Sequence, residues 1–144
     1  MQADHSNAMR DPVVLRWAWL NWPVKGRWGL TFIFWMVMNG LLFMPAKAMP
    51  EVSLFPFQDK IAHLAMFGIL GGLIRWSIPA GWGRGWRVWV VGVVLVGYGI
   101  GTECIQALIP RAARMYEAGD IVVDCAGVLA GLWIGGWLAE RWRA

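Results

Sequence analysis

Eight side chains stand out because an otherwise apolar chain has no evident use for them. They are Asp59, Lys60 and His63 in QDKIAHLAMF, and Glu103, Gln106, Arg114, Asp120 and Asp124 in TECIQALIPRAARMYEAGDIVVDCAG. Asp59 and His63 are four apart, Glu103 and Gln106 three, Asp120 and Asp124 four, so each pair shares one face if its segment is helical. Carboxylates and an amide suit hydroxyls and N–H groups. Lys60 and Arg114 suit an anion, the planar guanidinium fork matching phosphate or carboxylate best. His63 offers acid–base work, metal ligation or a hydrogen bond to a carboxylate, and His63 with Glu103 is the candidate catalytic pair. No metal motif or cofactor box is present, yet Asp59, His63, Glu103, Asp120 and Asp124 together offer oxygen ligands and one imidazole, a set that a divalent cation accepts. There is no GxSxG, no Ser or Cys beside a His, and no P-loop, so whether the protein is an enzyme stays open.

Each residue also has a plainer reading. Asp59 can face the positive end of a helix dipole while Lys60 snorkels outward. Asp120 can be an N-cap, a role Asp fills well, whereas Asp124 lies a turn too deep to cap anything. Glu103 can sit in a structural ion pair with Arg114, Lys60 or Arg111, and Gln106 can orient Glu103 or a ligand hydroxyl.

The elements that must position these groups follow from composition. Of 144 residues, 58% are hydrophobic and 15% charged, with 12 Trp and 18 Gly. A soluble domain is nearer a quarter charged, so the membrane class is favoured. The net charge of +4 does not point to nucleic acid, because the basic residues sit at the ends of apolar runs rather than in a patch. Four such runs cover residues 28–44, 61–78, 86–109 and 120–137. Each approaches the ~20 residues that cross a bilayer as a helix, and none shows barrel-strand alternation. The expected fold is all-α, a compact bundle of four transmembrane helices over residues 28–138. A Trp- and Arg-rich interfacial segment (1–27) precedes it and a short tail (139–144) follows. MPAKAMP imitates a signal-peptidase site, which would make residues 1–48 partly processed; the Trp-rich lead-in favours an uncleaved helix instead.

Charge sets the orientation. With the termini and the 79–87 turn on one side, that side holds nine of the 13 basic residues and the other side four. Both termini are therefore expected in the cytoplasm and the 45–60 and 110–119 loops outside. The polar groups then gather at the outer ends of spans two, three and four. Acids facing lipid would each cost roughly 2.5–3.5 kcal/mol at the bilayer centre, so they are expected to face one another. Gly127, Gly131 and Gly135 on span four, and Gly97 and Gly101 on span three, are expected to let helices, or two copies in a homodimer, approach closely. Arg75 reads as an interfacial charge, and Cys104 and Cys125 as small buried hydrophobes.

DKIAHLAMFGILG, then E-x-x-Q, a proline, R-x5-D and D-x-x-x-D-x-x-G, resembles the VanZ-like family of small bacterial membrane proteins over roughly residues 57–135. The positions that carry the resemblance are Asp59, Lys60, His63, Glu103, Gln106, Arg114, Asp120, Asp124 and Gly127; Asp124 departs from it, standing where Asn is more usual. The resemblance implies a cytoplasmic-membrane protein of the cell envelope linked to glycopeptide (teicoplanin) resistance. Its pocket near the outer leaflet would bind an anionic or sugar-bearing ligand, either a lipid-linked cell-wall intermediate or the glycopeptide. The alternative is a membrane-embedded acid–base or metal-dependent hydrolase or transferase acting on a lipid.

Overall fold

The structure, a computed structural model, describes residues 22–44, 57–79, 85–108 and 118–141. These residues form four α-helices and no strand: α1 Val24–Leu42, α2 Gln58–Ser77, α3 Trp86–Leu108 and α4 Ala118–Arg141. The all-α expectation is met. Two of the helices, Trp86–Leu108 and Gly119–Arg141, are long and apolar enough to cross a bilayer. Among the described residues α1 and α2 do not reach that threshold; α2 carries Asp59, Lys60, His63 and Arg75 within its 20 residues.

Helix ends differ from the apolar runs because backbone chemistry, not hydropathy, sets them. α1 starts four residues before Trp28: the Pro23 carbonyl accepts from the N–H groups of Gly26 at 2.8 Å and Arg27 at 3.2 Å. Lys25 and Arg27 are thus inside the first turn, and a proline just ahead is tolerated because the N–H it lacks would have no intrahelical acceptor there. α4 likewise starts at Ala118. Asp120 is consequently the third residue of the helix rather than its N-cap.

Contacts fix an up-down-up-down order. Neighbouring helices in sequence are antiparallel, and α2 and α4 run parallel with pairings that climb together. Lys60 meets Asp120, His63 meets Asp124, Gly68 lies against Gly127 and Gly131, and Gly72 against Gly131 and Gly135. α2 and α4 make the most extensive helix pair of the bundle. Their backbones touch. A Cβ on Gly131 would collide with the Gly68 carbonyl oxygen, one on Gly127 would lie 2.6 Å from the Leu64 oxygen, and one on Gly71 2.9 Å from the Val128 oxygen. Small residues allow this approach, and in an apolar solvent close van der Waals packing is the main force between helices. Phe67, Leu70, Val128 and Leu132 from this pair, with Met38 and Leu42 of α1 and Leu95 of α3, form the apolar core.

The expected span-three glycines take no part in this. A Cβ on Gly97 or Gly101 would meet nothing within 4 Å; the glycines of α3 that face the bundle are Gly92, against Leu132, and Gly99, against Phe67 and Asp124. Gly97 and Gly101 share a stripe with the outward-facing Val93, Val94, Ile100 and Cys104. The cysteines are free, Cys104 exposed and Cys125 half-buried, so the expectation that both are buried fails.

The distribution of polarity is inverted. His63, Glu103, Gln106, Asp120 and Asp124 are buried, while Phe32, Ile33, Trp89, Val93, Leu108, Val122 and Trp133 are exposed, Leu108 at 79% and Trp133 at 73%. A second polar group closes the opposite end. Arg75, expected at an interface, is buried against Gly135 and Gly136, which leave room for its side chain. Beside it Thr31 and Ser77 share a hydrogen bond of 3.0 Å, and Arg27 donates to the Trp22 and Trp76 carbonyls while stacking over the Trp76 ring.

Candidate functional site

The site is built on the first two turns of α2 and α4 and the last turns of α3. On α2 the 59–63 spacing places Asp59 at the surface and His63 inside, 1% exposed. On α4 the 120–124 spacing stacks two carboxylates down one face, both buried. The parallel register brings these faces together. Lys60 Nζ lies 3.2 Å from Asp120 Oδ1 at the rim, where the lysine keeps a quarter of its side chain exposed. One turn deeper, His63 Nδ1 lies 3.1 Å from Asp124 Oδ1.

α3 supplies the third wall from the opposite direction. Glu103 Oε1 comes within 3.7 Å of the same His63 nitrogen, too far for a hydrogen bond but close enough for charge to act across it. Gly99, one turn before Glu103, is the residue that makes room: a Cβ there would lie 3.5 Å from Asp124 Cβ and 3.3 Å from the Phe67 ring. Asp124 therefore bonds His63 through one oxygen and turns the other, Oδ2, toward α3; among the described residues Oδ2 accepts no hydrogen bond. One imidazole is thus held between two buried carboxylates.

Gln106 has a different attachment from the expected one. Its Nε2 donates to the Leu42 carbonyl at 2.6 Å, which ties the end of α3 to the last turn of α1. A helix leaves its last carbonyls without intrahelical donors, so this amide serves as a C-terminal cap from another helix. Tyr98 reinforces the tie from below, donating to Asn39 Oδ1 at 2.8 Å while Asn39 Nδ2 donates to the Trp35 carbonyl at 2.7 Å. α1 contributes no ionisable group to the site; it closes the bundle behind it.

Of the eight sequence candidates, His63, Glu103, Asp120 and Asp124 converge in one buried cluster. Lys60 and Asp59 stand at its rim, and Gln106 borders it through α1. Arg114, with Arg111, lies outside the described residues. Gly99 and the α2 glycines Gly68, Gly71 and Gly72 were not singled out from the sequence. The signal for the latter was the GILGG run after the His63 turn, which places Gly68 and Gly72 four apart on the stripe that begins at Lys60 and Leu64.

Among the described residues two triads have the ligand types and spacing for a metal ion, with one ligand atom from each residue and all three within 4.8 Å of one another: Asp59, His63 and Asp120 at the mouth, and His63, Glu103 and Asp124 inside. The arrangement can also orient an imidazole for proton transfer, since a carboxylate on one ring nitrogen fixes the ring and its tautomer. Compared with family models, curated proteins and solved structures, the chain matches none of them.

Proposed function

We propose that this is an integral protein of the bacterial cytoplasmic membrane, VanZ-like in kind. In this reading α1 to α4 all cross the bilayer, both termini are cytoplasmic, and the His63–Asp124 end opens to the outer leaflet. The inverted polarity supports the membrane reading. Only 28% of the apolar stretch of α3 and 33% of that of α4 are buried inside the protein, whereas a soluble core helix would be mostly covered. Lipid is the solvent that suits exposed Phe32, Ile33, Val93 and Val122 together with buried Asp124 and Glu103. α1 and α2 cross as members of a bundle, their polar groups satisfied by one another rather than by lipid.

The pocket's ligand, in this reading, is a sugar-bearing lipid-linked intermediate of the cell wall. The observation that carries it is the acid-rich lining: among the described residues, Asp59, Glu103, Asp120 and Asp124 stand against one lysine, itself engaged by Asp120. Carboxylates accept hydrogen bonds from hydroxyls and amides, the groups that a sugar and its peptide or acetamido substituents present. Such a lining suits a polyhydroxyl ligand better than a bare anion, and Lys60 and Arg114 would hold whatever phosphate the ligand carries. A glycopeptide antibiotic offers the same sugar and amide chemistry. Glu103→Gln, which keeps shape and removes charge, is expected to abolish a glycopeptide-resistance phenotype while leaving membrane insertion unchanged. Loss of insertion, or full resistance with Glu103→Gln, would contradict the binding role.

The 3.1 Å His63–Asp124 contact beside Glu103 favours one second reading, a membrane-embedded hydrolase or transferase with His63 and Glu103 as acid and base. Turnover of a lipid-linked substrate with a bell-shaped pH–rate profile, lost in His63→Gln, would establish it over simple binding.

A further inference from the structure

We infer that His63, Glu103 and Asp124 form a binding site for one first-row divalent cation, Mn²⁺ or Zn²⁺. Separation is the first support. Ligands about 2.1 Å from a tetrahedral ion lie about 3.4 Å from each other. His63 Nδ1 is 3.1 Å from Asp124 Oδ1 and 3.7 Å from Glu103 Oε1, on either side of that value. The longer distance makes no hydrogen bond, yet it is the distance two ligands of one ion keep.

Charge balance is the second. Two carboxylates and an imidazole are buried together at 3%, 2% and 1% exposure for Glu103, Asp124 and His63. Two carboxylates gathered around one imidazole in a dry site favour a cation among them. A divalent cation in the same place balances them. Asp124 adds an independent sign, since its second oxygen, Oδ2, is fully buried and accepts no hydrogen bond from the described residues.

Ligand type narrows the metal. One imidazole with two carboxylates and no thiolate suits Mn²⁺ or Zn²⁺ and disfavours a soft ion; Cys104 is exposed on another face of α3, and Cys125 joins neither triad. The outer triad supplies the route in. Asp59 is exposed, and with Asp120 and His63 it brings carboxylate oxygens from the surface to the imidazole within 4.8 Å. The cation is held by the protein alone, so it stands apart from the identity of the sugar-bearing ligand.

The full chain, purified in detergent and stripped with a chelator, should be titrated with Mn²⁺ followed by electron paramagnetic resonance and with Zn²⁺ followed by calorimetry. At least one of the two metals should bind at one equivalent per chain. Asp124→Asn and Glu103→Gln should each weaken that binding on the order of 100-fold or more, with helicity and elution unchanged, because each removes an anionic ligand and leaves its shape. Asp120→Asn should keep the stoichiometry. Absence of stoichiometric binding of either metal to the wild-type chain, or binding that survives Asp124→Asn and Glu103→Gln but not Asp120→Asn, would overturn the assignment. Because no lipid is present, a chain that binds metal without binding the sugar-bearing ligand, or the reverse, separates this inference from the proposed function.

Discussion

His63 on α2 and Asp124 on α4 meet at 3.1 Å because further along the same two helices Gly68 and Gly131 have no side chains to keep them apart. The polar site and the glycine seam are one device. Parallel helices in backbone contact carry their first turns together, and the residues on those turns are His63, Lys60, Asp120 and Asp124.

The seam gives the first prediction. Gly131→Ala would drive a methyl group into the Gly68 carbonyl, backbone that cannot rotate away, so α2 and α4 must separate. Overpacking of this kind costs about 1–3 kcal/mol or more, and thermal unfolding in detergent should fall accordingly. Gly97→Ala, with open space around it, should leave the midpoint unchanged or slightly higher because alanine is the better helix former. Equal effects at the two positions would contradict the packing.

Coupling between the two site residues is measurable. In a double-mutant cycle of His63→Gln and Asp124→Asn, the interaction energy should be about 0.5–3 kcal/mol, the range for buried residues sharing a hydrogen bond. Additive effects would mean that the pair does not interact in the folded chain.

Gln106→Leu removes the donor to the Leu42 carbonyl and leaves that carbonyl buried at the end of α1. A stability loss of about 1–3 kcal/mol is expected, with looser packing of α1 read as faster amide exchange over residues 38–42. Exchange that stays as slow as in the wild type would show that α1 is held by its apolar face alone.

The orientation has its own test. In a chain with Cys104 and Cys125 changed to Ser, an added Ala113→Cys should react with an impermeant maleimide in intact cells, and an added Ala80→Cys only after lysis. The reverse pattern would invert the topology drawn from the nine-to-four distribution of basic residues.

Much of this is legible in the amino-acid sequence. The four helices follow from apolar length, and the inward turn of His63, Glu103 and Asp124 is the one expected if acids are not to face lipid. The glycine stripe at 127, 131 and 135 was visible from its spacing, yet its partner was not, because a period of four on one helix does not say which neighbour it meets. For the same reason Gly97 and Gly101 misled: the identical spacing on α3 faces away from the other helices, and the working glycine there is Gly99. Arg75 was misplaced because hydropathy treats a charge near a helix end as surface, whereas Gly135 and Gly136 open a recess for it. Gln106 is expected from the sequence to orient Glu103 or a ligand hydroxyl, and its bond to Leu42, 64 residues away, is set by tertiary packing that no local pattern encodes.

The central claim, that three helices turn their acids into one crevice that binds a sugar-bearing lipid, is tested most directly by native mass spectrometry. The purified chain would be released from detergent in the presence of a polyprenyl-linked disaccharide. One bound lipid per chain is predicted, retained at collision energies that strip bulk phospholipid and lost in both Glu103→Gln and Asp124→Asn. Binding no tighter than to a polyprenyl phosphate without sugar, or unaffected by either substitution, would contradict it.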